Sequence, residues 1–147
     1  MWNVENIPDE SSVYIRIHKD FISSKDDLPK SAAFSNTPKD GDNLSCDWDK
    51  HCTADSARSL IGKQTKKDGS YKNHTLFFMW EMNVGEIRTK LSPTQLVNHE
   101  PIQNEPEIVG LPNNRAHSII IGDKQINSAE FRVSILKLGK WAISPKI

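Results

Sequence analysis

Two Arg-x-His triplets carry the side chains best suited to chemistry in this chain. They are Arg16-Ile17-His18 and Arg115-Ala116-His117, and each lies in or beside an apolar run rich in β-branched residues. Successive side chains of a strand alternate between its faces, so each Arg would project from the same side as its His. Arginine binds phosphate or carboxylate through its fork of donors, and histidine exchanges a proton near neutral pH. If the two faces converge, they form a cationic, titratable pocket.

Three further polar residues extend this candidate site. His99 stands beside Glu100 at the edge of a proline-rich segment, and Ser31 and Ser35 bracket a small-residue segment that backbone and ligand could approach. Histidines and arginines around one phosphate suit metal-independent phosphodiester cleavage or nucleotide binding. We therefore expect a pocket for a phosphate-bearing small molecule or RNA, in a nuclease or nucleotide-acting enzyme without a cofactor. The assigned roles are acid and base for His18 and His117, assistance for His99, and ligand binding for Arg16, Arg115, Ser31 and Ser35.

Each of these residues also has a structural interpretation. A polar strand face is commonly only the solvated half of an amphipathic strand, and serines in turns commonly bond their own backbone. The alternative is therefore a non-enzymatic accessory or protein-interaction domain, which would expose a continuous apolar patch.

Two other kinds of site are compatible with the sequence: a metal site and a basic interaction surface. The metal ligands would be His18, His99 and His117, with Cys46, Cys52, Glu100 or Asp47 as additional donors. No pair of them has the close spacing typical of metal motifs, so we expect no metal. The second is a basic loop at residues 63–72, which carries four lysines and Tyr71 and would contact RNA or an acidic partner.

Composition limits the functions that the chain can have. Its 147 residues fit one domain, 1–147, large enough to bury a core. Basic and acidic residues number 19 each, so the net charge is zero with neutral histidines. General coating of nucleic acid needs a basic excess, and this chain has none. A local basic groove is still compatible with that balance.

The sequence also bears on location and on the common enzyme motifs. The first residues lack a basic segment followed by an apolar one, and the apolar stretches are too short to cross a bilayer. Cys46 and Cys52 fit no metal or redox spacing, so we expect free thiols and a cytoplasmic protein. The chain lacks GxGxxG, GxxxxGK[ST], HExxH, GxSxG and an EF-hand loop, which disfavours the classes that carry them.

The pattern of apolar residues predicts an α+β domain with a mainly antiparallel sheet and about two helices. Helices are expected near 54–61, with Thr53 as N-cap, and near 129–138, with Ser128 as N-cap. Residues 75–82 are the most hydrophobic strand candidate, expected at the sheet centre and continuing through 87–91 after a bend at Gly85. The other strands are expected at residues 13–18, 44–48, 96–97, 116–121 and 140–143.

Three short segments resemble those of a set of small uncharacterised bacterial proteins. The segments are Y-x-R-x-H at residues 14–18, S-A-A-F at residues 31–34, and A-H-x-x-I-x-G at residues 116–122. This resemblance spans most of the chain and implies a bacterial source and a compact domain. It implies no particular activity.

A remoter resemblance is to ADP-ribosyltransferase-type folds. In those folds an Arg or His on the first strand and a Ser on a later strand hold a dinucleotide. The matching residues here are Arg16 or His18 and Ser31 or Ser35. The late catalytic Glu of that family has no evident counterpart, because Glu130 lies in a predicted helix and Glu100 stands beside a proline.

Overall fold

A computed structural model describes residues 1–38 and 41–145 and has an α+β fold built on one antiparallel sheet. The strands are β1 (Ser12–His18), β2 (Leu44–Trp48), β3 (Phe77–Asn83), β4 (Leu96–His99), β5 (His117–Ile121) and β6 (Gly139–Ile143). The helices are α1 (Ala54–Ile61), α2 (Val84–Thr89) and α3 (Ala129–Leu138). The strand order is β4-β5-β2-β1-β3-β6, so β2 and β1 form the sheet centre.

One face of the sheet forms the main core. Val13, Ile15 and Ile17 of β1 point into it, as the alternation of this strand predicts, and all are essentially fully buried. Helices α2 and α3 cover this face with their apolar side chains. The other large members of the core are Phe34, Leu44, Trp48, Trp80, Met82, Val84, Ile87, Ile120, Phe131 and Ile135.

The opposite face is only partly covered. Helix α1 contacts β1, β3 and β6, and its buried residues Ala57 and Ile61 lie outside the main core cluster. Met79 is fully buried and lies opposite Arg16 in the β1–β3 register, so it belongs to this second face. The part of this face over β1, β2 and β5 carries polar side chains instead. This polar region is the floor of the candidate site.

The predicted helix boundaries are confirmed at α1 and α3, and the structure adds a helix. At α1, the Thr53 hydroxyl accepts a hydrogen bond from the Ser56 backbone N–H at 3.0 Å. The predicted strand over 87–91 is wrong, because the Asn83 side chain accepts a hydrogen bond from the Glu86 N–H and starts α2. The expectation that residues 75–82 form the sheet centre is also wrong, because β3 lies next to the edge strand β6. Its hydrophobicity reflects burial on both faces, with Met79 buried on one and Trp80 and Met82 on the other. Within the described part of the chain, no helix is long and apolar enough to span a bilayer.

Candidate functional site

A cleft of about 870 Å³, lined by both polar and apolar side chains, lies on the second face of the sheet. This volume is within the usual range of ligand pockets, about 300–1,000 Å³. Its polar lining residues include Arg16, His18, Ser35, Thr37, Asn43, Ser45, Gln64, Lys72, Glu100, Asn114 and His117. Three of the predicted histidine and arginine residues therefore line one cleft.

The floor of the cleft is organised around a buried carboxylate, that of Asp47. Asp47 is 2% exposed and lies opposite His117 in the β2–β5 register. The Arg16 Nε lies 3.5 Å from one of its oxygens, and the Asn114 amide donates to the other at 2.7 Å. The Asn114 side-chain oxygen, Oδ1, in turn accepts from the Ala116 N–H at 3.1 Å. This network fixes Arg16 and Asn114 on the same face as His117.

One wall of the cleft is a short hairpin, residues 64–72. The Lys72 N–H donates to the Gln64 carbonyl at 2.8 Å, and Thr65 forms a bridge with Tyr71. The Gln64 side-chain oxygen accepts from Arg16 Nη1 at 3.1 Å and from Lys72 Nζ at 3.3 Å. Gln64 thereby joins the cation on the floor to the cation on the wall.

The wall continues into the turn at residues 108–111. The Gly110 carbonyl accepts from the Thr65 N–H at 3.2 Å, which joins the turn to the hairpin. Gly110 has φ +84°, and a Cβ there would collide with the Thr65 side chain. Glycine is therefore required by both the backbone conformation and the close approach.

A hydrogen bond to the backbone fixes the tautomer of His117. Its Nδ1 lies 2.7 Å from the Glu100 carbonyl, which only accepts, so Nδ1 carries the proton. In the neutral ring Nε2 is then an acceptor, and among the described residues no hydrogen-bond partner is found for it. His117 is 8% exposed and lines the cleft. It therefore offers the cleft a nitrogen base or a single ligand atom.

His99 lies on the other face of the sheet and does not enter the cleft. It is opposite Ser118 in the β4–β5 register, whereas His117 is the next residue and points the other way. Its Nδ1 accepts from the Glu5 N–H at 3.0 Å, and its Nε2 is 2.7 Å from the Arg115 carbonyl. Both ring nitrogens are thus used by backbone groups, and the predicted assisting role has no geometric support.

His18 lines the same cleft as His117, but at a distance along the sheet. Tyr14, Asp47 and His117 form one row across three strands, and His18 lies four residues further along β1. With strands about 4.8 Å apart and about 3.4 Å per residue, the two histidine Cα atoms are about 17 Å apart. This separation is too long for one imidazole to act as acid and the other as base on the same bond.

The remaining predicted residues divide between the cleft and the surface. Ser35 lines the cleft, but its hydroxyl donates to the Ala32 carbonyl at 2.8 Å and closes a turn. Ser31 begins that turn and is not among the residues lining the cleft. Arg115 is exposed, with its guanidinium carbon 6.0 Å from the centre of the Trp2 ring. The structure brings Arg16, His18, Ser35 and His117 to the cleft and leaves Arg115, Ser31 and His99 outside it.

Four residues of the site were absent from the predicted phosphate pocket: Asp47, Gln64, Lys72 and Asn114. Asp47 alternates with Cys46 and Trp48 of a predicted strand, so period two would have placed it on the polar face. Gln64 meets Arg16 across 48 positions of sequence, and no local pattern indicates such a contact.

The metal-ligating side chains that come together share one residue, His99, with the predicted set. Among the described residues, one such group is found, and its ligand atoms, from Glu5, His51 and His99, lie within 4.8 Å of one another. Glu5 bonds Lys50 and His51, the latter at 2.6 Å, and these bonds lower the pKa of its carboxyl to about 2. Since His99 bonds backbone groups through both nitrogens, the group is an internal clasp for the N-terminal segment.

Both cysteines are free thiols. Burial raises the pKa of the Cys52 thiol to about 12, and it raises that of Cys46 well above the usual value. Neither side chain supplies a thiolate near neutral pH, so neither is a candidate nucleophile.

Comparison of the chain with protein-family models, with curated proteins and with solved structures found no match. The two resemblances described above therefore stay predictions.

Proposed function

We propose that this protein binds a phosphate-bearing ligand of nucleotide size in the cleft, and that it acts on this ligand through His117. The observation that carries the proposal is the placement of Arg16 and His117 on one face of the sheet, on either side of Asp47. A cation, an oriented imidazole and a cleft of about 870 Å³ are together suited to a nucleotide.

Arg16 is the proposed phosphate ligand. Its side chain is 21% exposed, although Nε faces Asp47 and Nη1 donates to Gln64. The guanidinium is therefore held in place while part of it still reaches solvent. Lys72 lies on the adjoining wall and adds a second positive charge. An oriented arginine supported by a lysine favours an oxyanion over a neutral ligand.

His117 is the proposed base. The Glu100 carbonyl holds its Nδ1 proton, so Nε2 can accept a proton from a ligand hydroxyl or from a bound water. The distance from His18 favours a role for His18 in binding at the far end of the cleft. We also place the protein in the cytoplasm, and its two free thiols support this location.

The test is calorimetric titration with inorganic phosphate and the four ribonucleoside monophosphates, followed by chromatographic detection of turnover. Replacing Arg16 alone would leave Asp47 buried without its cation, so the variant used is Arg16→Gln with Asp47→Asn. We expect this double variant to lose about tenfold to a hundredfold in affinity, the value of charge-assisted hydrogen bonds.

The matched control is Arg115→Gln, which removes the same charge outside the cleft. It should bind like the parent protein, after a small correction for long-range charge. His117→Asn keeps an N–H for the Glu100 carbonyl and removes the Nε2 base, so it should retain affinity and lose turnover. Absence of binding to every phosphate probe by the parent protein, or equal losses in the Arg16 and Arg115 variants, would refute the proposal.

A protein-interaction domain is the second candidate, and an exposed apolar group beside the cleft favours it. In the 108–111 turn Ile108 is 49%, Val109 86% and Leu111 41% exposed, and the bridge partner of Thr65, Tyr71, is 57% exposed. Sedimentation of the parent protein and of Val109→Ser would detect self-association through this patch. A parent that binds no phosphate probe but forms a dimer, lost in Val109→Ser, would support this function instead.

A further inference from the structure

We infer that the ligand of the cleft is a single-stranded nucleic acid and that it extends from the sheet floor onto the 64–72 hairpin. This inference rests on the proposed phosphate site at Arg16. It specifies that the ligand is a polymer that carries several phosphates, whereas the proposed function requires a ligand with only one phosphate.

A row of cations leads from the floor to the tip of the hairpin. Arg16 and Lys72 both donate to the Gln64 side chain, so two positive charges are joined at the base of the hairpin. Lys66 is two residues beyond Gln64, and alternation places its side chain on the same side of the hairpin. It is exposed, and its N–H donates to the Ser70 carbonyl at 2.8 Å, which forms the end of the hairpin.

The spacing of this row matches an extended ligand better than a compact one. Two residues of strand place the Lys66 backbone about 7 Å further along the hairpin than that of Gln64, the residue that binds Arg16 and Lys72. Among the described residues that line the cleft, Glu100 is the one acidic side chain, and the carboxylate beneath the floor, that of Asp47, is paired with Arg16. A chain of separate phosphates satisfies such a row, whereas a mononucleotide reaches only part of it.

Aromatic side chains also line the cleft. Phe21 lines the cleft and is 42% exposed, and Phe77 lines it beside the edge-on His18 ring, 5.1 Å away. An exposed aromatic ring such as that of Phe21, beside a positively charged groove, is the usual combination in proteins that bind single strands, since every base has a face that stacks. A folded duplex would present its bases to neither ring. The geometry therefore favours a single strand over a duplex.

The experiment compares labelled hexauridylate RNA, the matching deoxythymidine hexamer and UMP, using fluorescence anisotropy and calorimetry over a range of salt. We expect the hexamer to bind at least tenfold more tightly than UMP. The logarithm of its association constant should fall with the logarithm of salt with a slope of about −2, from about −0.7 for each of three contacts. Comparison of RNA with DNA identifies which polymer is preferred.

Variants separate this inference from the proposed function. Lys66→Gln should reduce the salt slope by about 0.7 and weaken the hexamer while leaving UMP binding unchanged. Lys137→Gln is its control, because Lys137 is exposed on α3, the helix that covers the core face. Phe21→Ala should weaken the hexamer about tenfold. UMP binding with no gain for either hexamer would overturn the single-strand inference and leave the proposed function intact, whereas binding of neither probe would overturn both.

Discussion

His99 and His117 lie on opposite faces of the sheet, yet each is hydrogen-bonded to the backbone of the other's strand segment. The His99 Nε2 is 2.7 Å from the Arg115 carbonyl, and the His117 Nδ1 is 2.7 Å from the Glu100 carbonyl. The Glu100 N–H also donates to the His117 carbonyl at 2.9 Å. Both ring nitrogens of His99 are therefore bonded to backbone groups, whereas His117 still presents its Nε2 to the cleft.

The first prediction concerns His99. Replacement by Phe preserves the ring that contacts Trp48 but leaves the Glu5 N–H and the Arg115 carbonyl without their partner. Both hydrogen bonds are part-buried, and an unsatisfied polar group costs about 1–3 kcal/mol when buried, so His99→Phe should lower the free energy of unfolding measured in urea by about 1–3 kcal/mol. Ligand affinity should be unchanged. If His99→Phe abolishes turnover as His117→Asn does, His99 has a role in the site that its position does not explain.

The second prediction concerns the Arg16–Asp47 pair. Arg16→Gln leaves a carboxylate that is 2% exposed beside a neutral amide, and Asp47→Asn leaves a partly buried guanidinium. Each single variant should lose about 1–3 kcal/mol of unfolding free energy. The double variant should lose less than the sum, with a coupling of about 1 kcal/mol, because the pair is separated by 3.5 Å and Arg16 touches solvent. Strict additivity of the two losses would show that the charges do not stabilise each other.

The third prediction is the effect of acid on the N-terminal clasp. The hydrogen bonds from Lys50 and His51 lower the pKa of Glu5 to about 2 from an ordinary value of 4.5. A carboxyl with a lowered pKa stabilises the fold above its ordinary pKa, and this contribution is lost as the pH falls from about 4.5 toward 2. Glu5→Gln should therefore show a smaller loss of stability than the parent between pH 6 and pH 3. Parallel losses in urea unfolding at the two pH values would contradict this assignment.

The fourth prediction is the effect of alkali on Lys124. Burial lowers the pKa of this amine to about 8, and its Nζ donates to the Ile120 and Gly122 carbonyls, each at 2.9 Å. Between pH 8 and 10.5 the unfolded chain holds a proton that the folded protein has lost, so stability should rise with pH in that window. Lys124→Met should abolish this rise, whereas the exposed Lys137→Met should retain it. The same rise in all three proteins, measured by urea unfolding, would assign it to other groups.

Local patterns in the sequence were sufficient for most of the fold. The alternation over residues 13–18 and the capping residue Thr53 each depend on neighbours within one element, so β1 and α1 were predicted within a residue. Helix α2 was missed because it is six residues long and begins with Val84-Gly85, which look like the end of a strand. Its start depends on a side-chain cap from Asn83.

The site was only partly predictable, for a different physical reason. Period two places Arg16 and His18 together, but whether the second triplet shares their face depends on the register of β5 against β2. That register places His117 on the face of Arg16 and His18. In the register of β4 against β5, His99 is aligned with Ser118, the residue after His117, so His99 lies on the opposite face. The contact of Gln64 with Arg16 spans 48 positions and depends on where α1 ends.

The tip of the 64–72 hairpin can change independently of the floor of the cleft. The floor bonds of Asp47 tie together the central strands, so substitutions there affect both stability and binding. Residues 66–70 are exposed at the tip of a hairpin whose base is already closed by Gln64 and Lys72. Insertions or altered charges at that tip would extend or shorten the reach of the cleft while the fold stays intact. Substitutions confined to the five exposed residues 66–70 would therefore change which ligands the cleft accepts.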